Sequence, residues 1–206
     1  MDFSLIETMR WEPAGGFARL DRHLARLTAS AAELGFARPV DALDALERHV
    51  ENARAPQRVR LELFADGRTE ITSAPFAPLS LTSIWRLAVA GTRLCSTDRL
   101  LRHKTSRREQ YAAARAEFPA ERADEVLLLN ENGEICEGTI TSLFVDSGDG
   151  LLLTPDLRCG LLAGVLRGEL LEQKKAFEAR LTLADLAGKP LYVGNSLRGL
   201  IRAELI

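Results

Sequence analysis

Glu125-Val126-Leu127-Leu128-Leu129, then Asn130-Glu131-Asn132-Gly133, then Glu134-Ile135-Cys136-Glu137 set an apolar run, a turn cluster and a second short run in succession. Short apolar runs bounded by Asn, Gly and Pro clusters read as strands rather than helices. Leu143-Phe144-Val145 and Leu151-Leu152-Leu153-Thr154 extend the series, and Pro155 closes it. Strands that follow one another directly form antiparallel-looking hairpins, and the regular strand-helix alternation of a doubly wound sheet is missing. The stretch predicts an α+β fold.

Upstream, residues 2–9 read as a strand, Pro13-Ala14-Gly15-Gly16 as a turn and residues 17–20 as a second strand. Asp21 is placed to cap a helix whose apolar positions Leu24, Leu27, Ala31 and Leu34 recur at three- and four-residue steps until Gly35 stops it. A second helix is predicted over 41–53. Arg58 to Phe64 alternates like a half-buried strand, and Asp66-Gly67 turns it back into a strand over 69–73. Pro75 and Pro78 make residues 73–83 the linker candidate, which divides a smaller N-terminal α+β domain, 1–85, from a larger C-terminal one, 86–206. Beyond it a strand is predicted over 85–90, helices over 106–118 and 164–173, a short helix over 183–187 and a strand over 191–193. No internal repeat or low-complexity tract is present.

A chain of 206 residues has room for one large or two small domains, and not for a solenoid or multidomain receptor. Its 27 Lys and Arg against 29 Asp and Glu give a net charge of −2 without long like-charge blocks, which argues against nucleic acid and against a basic membrane anchor. No apolar run approaches the roughly 18 residues of a membrane span, and the N-terminus carries neither a signal nor a transit pattern, so a cytoplasmic location is expected. Three cysteines without a close pair predict reduced thiols. His23, His49 and His103 form no ligand pair, so no metal is expected. Phosphate-loop, dinucleotide and nucleophile-elbow motifs are absent.

The remaining chemistry lies in separate pieces. They are Glu7-Thr8-Met9-Arg10, Arg22-His23-Leu24-Ala25-Arg26-Leu27, His103-Lys104-Thr105, Glu137-Gly138-Thr139-Ile140-Thr141, Gly160-Leu161-Leu162-Ala163-Gly164-Val165-Leu166 and Gly194-Asn195-Ser196. Taken singly, each has an ordinary reading. Lys104 is a lysine at a helix start, where it opposes the dipole; Glu137 is a solvated strand-end glutamate like Glu134; Arg26 is a solvated helix residue; Leu162 is core.

Their order and spacing resemble the class IV aminotransferase family, the fold type IV pyridoxal-phosphate enzymes, and most closely its 4-amino-4-deoxychorismate lyase branch. The resemblance covers nearly the whole chain. It implies a two-domain, D-amino-acid aminotransferase-like fold with pyridoxal 5'-phosphate between the domains, a small-molecule amine substrate and a homodimer. Lys104 is implied as the catalytic Schiff-base lysine and Glu137 as the partner of the pyridine nitrogen. Leu162 would lie on the ring face, while Arg26, Val165, Leu166, Asn195 and Ser196 would supply phosphate donors. Arg60 and Arg107, with Arg108 beside them, are candidates for a substrate carboxylate. Tyr111 is set aside, because its spacing from Lys104 differs from the aminotransferase pattern. Relatives usually carry a further segment ahead of the Glu-Thr strand, and its absence is expected to shorten the first sheet. The implied reaction converts 4-amino-4-deoxychorismate to 4-aminobenzoate and pyruvate for folate synthesis. The alternative is a branched-chain or D-amino-acid aminotransferase, and a non-catalytic binding module is disfavoured because Lys104 and Glu137 are both present.

Overall fold

A computed structural model describes residues 2–206. They form two compact units: the first runs through Pro78 and includes His103–Arg107, and the second comprises Leu79–Arg102 and Arg108–Ile206. The first unit ends at Pro78, within the linker candidate 73–83, and His103–Arg107 group with it.

In the first unit β1 (Leu5–Glu12), β2 (Gly16–Phe17), β3 (Gln57–Leu63) and β4 (Thr69–Pro75) build an antiparallel sheet in the order β2-β1-β3-β4. Alternation decides which side is buried. Leu5, Met9, Val59, Leu61 and Leu63 pack against Leu27 and Ala31 of α1 (Leu20–Leu34) and Leu46 and Val50 of α2 (Ala42–Val50). Each such side chain contributes roughly 1.5–3 kcal/mol by burial. The expected Asp21 cap is corrected: Arg19, at φ 58°, occupies the cap position and Asp21 lies inside the first turn, because Ala18 N–H is held to the Arg10 carbonyl of the hairpin. Gly35 ends the helix as expected, at φ 72° with its N–H on Ala31. The first strand lies at Leu5–Glu12 rather than 2–9, and the second shrinks to Gly16–Phe17. The strand expected to end at 73 continues to Pro75, which an edge strand tolerates.

The second unit holds an eight-stranded sheet made of β5 (Ile84–Leu94), β6 (Glu125–Asn130), β7 (Ile135–Gly138), β8 (Ser142–Asp146), β9 (Leu152–Pro155), β10 (Ala176–Ala179), β11 (Leu191–Asn195) and β12 (Gly199–Leu205). Its order is β10-β9-β8-β11-β12-β5-β6-β7. The expected hairpins are present at β6/β7 and β8/β9, while β5/β6, β5/β12 and β9/β10 run parallel. The helices between these strands act as crossovers: α3 (Glu109–Ala116) joins β5 to β6 and α4 (Val165–Glu172) joins β9 to β10. β6 is buried on both faces. Val126 and Leu128 face Ala114 of α3, while Leu127 and Leu129 join Leu143, Val145, Val193 and Ile201. Burial on both sides explains why this strand reads as an unbroken apolar run.

The helix expected over 106–118 starts only at Glu109, because Thr105 bridges to Leu5 of β1. The short helix at Leu183–Leu186 is a 3-10 turn closed by a Thr182/Asp185 capping box, and a second 3-10 turn at Arg99–Arg102 was not anticipated. β10 and β12 were not anticipated either.

Candidate active site

Lys104 belongs to a segment without helix or strand of its own, and β1 holds its backbone. Ile6 N–H donates to the Lys104 carbonyl at 2.7 Å and Ser106 N–H to the Ser4 carbonyl at 2.9 Å. Ser4 N–H donates to Ser106 Oγ at 2.9 Å. With main-chain groups paired on both sides of it, the lysine has a defined origin for its side chain. The preceding His103 is buried, its Nδ1 3.0 Å from Ser30 Oγ on α1 and its Nε2 3.6 Å from Glu33 Oε1.

Glu7, on the same strand, is buried and grips Arg26 from two sides: Arg26 Nε donates to Oε1 at 2.8 Å and Nη2 to Oε2 at 2.7 Å. His23 Nδ1 lies 2.5 Å from Oε2 and donates, because an ionised carboxylate only accepts. Burial alone would raise the Glu7 pKa. The Arg26 charge and the hydrogen bonds from His23 and Arg26 outweigh it and hold the carboxyl down to about 2. The first helix thus delivers Arg26 as part of a built ion pair rather than as a solvated residue.

Arg60 donates from Nη2 to Glu62 Oε2 at 2.9 Å, and Glu62 also accepts from Ser4 Oγ. Burial pushes the Glu62 pKa up, but the Ser4 and Arg60 hydrogen bonds and the neighbouring guanidinium charges bring it below the usual range. Arg107 N–H bonds Thr105 Oγ1 at 3.3 Å, and among the described residues its side chain makes no hydrogen bond or ion pair.

In the second unit Glu137 ends its strand 5% exposed, and its Oε1 accepts from Tyr111 O–H at 2.7 Å and from Leu162 N–H at 3.0 Å. Burial and the Glu137 charge push the Tyr111 hydroxyl well above its ordinary pKa, which keeps it a donor. Tyr111, set aside on sequence spacing, therefore returns as the residue that orients Glu137. The signal was spatial: it lies 26 residues from its partner. Leu162 contributes its backbone as well as its half-buried side chain. Arg108 donates to the Thr139 carbonyl and stands 4.5 Å over the Tyr111 ring, so it braces the site.

Val165 and Leu166 open α4 behind Gly164, which offers no side-chain cap, and a helix has no internal acceptor for the N–H groups of its first turn. Asn195 has partners within the second unit. Its Nδ2 donates to the Ile140 carbonyl at 3.1 Å and its Oδ1 accepts from Leu197 and Arg198 N–H at 3.1 and 3.0 Å, so the side chain builds the turn that carries buried Ser196. The cysteines are free thiols; burial pushes Cys136 up strongly and Cys159 to about 11. Among the described residues no cluster of His, Cys, Asp and Glu suits a metal ion, and no helix is long and apolar enough to cross a membrane.

The family profile Amino-transferase class IV matches residues 4–206. A "Putative aminodeoxychorismate lyase" of Schizosaccharomyces pombe is 27% identical over 98% of this chain and 90% of its own. The crystal structure of a "Putative amino-acid aminotransferase" from Mesorhizobium loti is 55% identical and superposes with a TM-score of 0.97 over 100% of both chains. 4-amino-4-deoxychorismate lyase from Pseudomonas aeruginosa is 25% identical with a TM-score of 0.80, over 98% of this chain and 82% of that one. The Lys104, Glu137 and Asn195 pieces all fall inside the matched span, and the mixed α/β architecture is that of the solved relatives: this chain belongs to the class IV aminotransferase family of enzymes.

Proposed function

We propose that this chain binds pyridoxal 5'-phosphate and converts 4-amino-4-deoxychorismate to 4-aminobenzoate and pyruvate, the reaction that feeds folate synthesis. The observation that carries the reading is the Glu137 carboxylate, buried and held by Tyr111 O–H and Leu162 N–H, which is the partner a protonated pyridine nitrogen requires. The rest of the donor set fits the same group. Lys104 offers an amine on an anchored backbone, Arg26 a fixed guanidinium, the start of α4 unpaired amides, and Ser196 a hydroxyl beside the Asn195 turn.

When bound, the cofactor supplies an electron sink for the substrate carbon that bears the amine. Lys104 Nζ would remove the proton at that carbon, for which its neutral amine form is needed; the C–O bond on the neighbouring ring carbon then breaks, the ring becomes aromatic, and the departing enolpyruvate takes up a proton to become pyruvate. Glu137 holds the proton on the ring nitrogen, and Tyr111 and Leu162 N–H prevent the carboxylate from turning away. Arg26 holds the phosphate, with its own direction set by Glu7. Arg60 and Arg107 remain the candidates for the substrate's carboxylates.

The lyase reading is supported by the full-length likeness to the Schizosaccharomyces pombe protein. A second reading, an amino-acid aminotransferase, is favoured by the name of the 55% identical Mesorhizobium loti protein. Incubation with cofactor and 4-amino-4-deoxychorismate, without any 2-oxo acid, separates them. Equal release of 4-aminobenzoate and pyruvate over many turnovers is expected. Consumption of a branched-chain or D-amino acid only when a 2-oxo acid is added, with 4-amino-4-deoxychorismate untouched, would replace the lyase by the aminotransferase. A cytoplasmic homodimer belongs to the same proposal, and light scattering of the purified protein tests the dimer.

A further inference from the structure

Glu125 opens β6 completely buried, and among the described residues no cation pairs with it. Its carboxylate takes five hydrogen bonds instead. Oε1 accepts from Val126 N–H at 2.8 Å, Thr139 N–H at 3.0 Å and Thr139 Oγ1 at 2.5 Å. Oε2 accepts from Ile140 N–H at 3.1 Å and Thr141 Oγ1 at 2.8 Å. A buried carboxylate survives when its lone pairs are filled, and four of these donors come from the turn that follows Glu137-Gly138. The approach leaves no room for a side chain at Gly138, where a Cβ would stand 2.8 Å from the Glu125 carboxyl carbon and collide with Thr141 Oγ1.

We propose that Glu125 is a positioning residue, a buried anion that fixes the 138–141 turn and through it the directions of Glu137 and of the Asn195 turn. The connections are explicit. The Ile140 carbonyl accepts from Asn195 Nδ2, the Thr139 carbonyl accepts from Arg108, Arg108 stands over Tyr111, and Tyr111 bonds Glu137. The link to catalysis rests on the reading of Glu137 given above. Glu125→Gln keeps shape and removes the anion. With its oxygen at the Oε1 position, where three donors meet, the new amide group sets a donor against Ile140 N–H, so that amide loses its acceptor.

The test compares wild type with Glu125→Gln, the milder Thr141→Val, and Glu117→Gln as control. Glu117 also accepts main-chain N–H groups, from Gly91 and Thr92, but touches none of the 138–141 turn. In cofactor-free protein, amide hydrogen exchange at Ile140 is expected to quicken about tenfold or more in Glu125→Gln, less in Thr141→Val and not at all in Glu117→Gln. In cofactor-loaded protein, the pH midpoint of the visible cofactor band is expected to move by about half a unit or more in Glu125→Gln and to stay in place in Glu117→Gln. Unchanged exchange at Ile140 overturns the proposal; if Glu125→Gln does not fold, Thr141→Val decides the same point. Faster exchange with an unmoved midpoint overturns the link to Glu137, provided that Glu137→Gln itself moves the midpoint. If Glu137→Gln leaves it in place, the reading of Glu137 fails, and the exchange result still decides whether Glu125 fixes the turn.

Discussion

Replacing Glu7 by Gln removes the anion between Arg26 and His23 while preserving side-chain volume. The magnitude follows from the structure in two ways. A carboxyl held at about 2 instead of its ordinary 4.5 corresponds to about 3 kcal/mol of folding stability at neutral pH. Removing one partner of a buried ion pair costs about 3–5 kcal/mol, since the remaining charge is left unpaired. Urea unfolding of cofactor-free protein at pH 7 is therefore expected to show a loss of about 3–4 kcal/mol. The pH dependence carries the sign: the native pKa is depressed, so the unfolded chain binds the proton first, and the contribution, complete above pH 4.5, falls away toward pH 2. At pH 3 the gap between wild type and Glu7→Gln should shrink to about 1 kcal/mol, whereas other acid-sensitive carboxylates such as Asp156 cancel in the comparison. A variant within about 0.5 kcal/mol of wild type at pH 7, with a parallel pH profile, would refute the account of this ion pair.

Tyr111→Phe should retain the fold and the cofactor and lower kcat about tenfold, as one hydrogen bond to a charged group is lost, with KM little changed; steady-state kinetics checks this. Gly138→Ala should destabilise the second unit by about 1–3 kcal/mol or more, because the added methyl meets the Glu125 carboxyl, and thermal unfolding reads it. Arg26→Ala should speed cofactor loss on dialysis and weaken affinity about ten- to a hundredfold, while an unchanged dissociation constant would leave Arg26 a partner of Glu7 alone.

What could be read from sequence was local. The three- and four-residue steps of Leu24, Leu27, Ala31 and Leu34 place α1, and the alternation around Val59, Leu61 and Leu63 places β3, because each pattern is set by one buried face. The parallel pairing of Ile84–Leu94 with Gly199–Leu205 has no local signature, since it depends on crossovers between residues far apart in the chain. Only a short part of that late strand is buried, at Ile201 and Ala203, so its apolar signal is weak. Lys104 and Glu137 stand out in the sequence only through the motifs around them, and the contacts that hold them leave no mark there. The clip of Ser4 and Ile6 on the lysine segment, and the Tyr111 bond to Glu137, are contacts between distant residues. Glu125 reads as an ordinary first residue of a strand until the turn folds back over it, and the bonds of the Asn195 side chain to Ile140, Leu197 and Arg198 have no local signature either.

The central claim, that Lys104 is the amine of a pyridoxal-phosphate enzyme, is tested most directly by loading the protein with cofactor, reducing it with borohydride and mapping the modified peptide by mass spectrometry. The account predicts one phosphopyridoxyl group per chain, on Lys104, and none in Lys104→Ala, which should keep the wild-type circular dichroism. Modification spread over Lys174, Lys175 and Lys189, or equal labelling of wild type and Lys104→Ala, would contradict it.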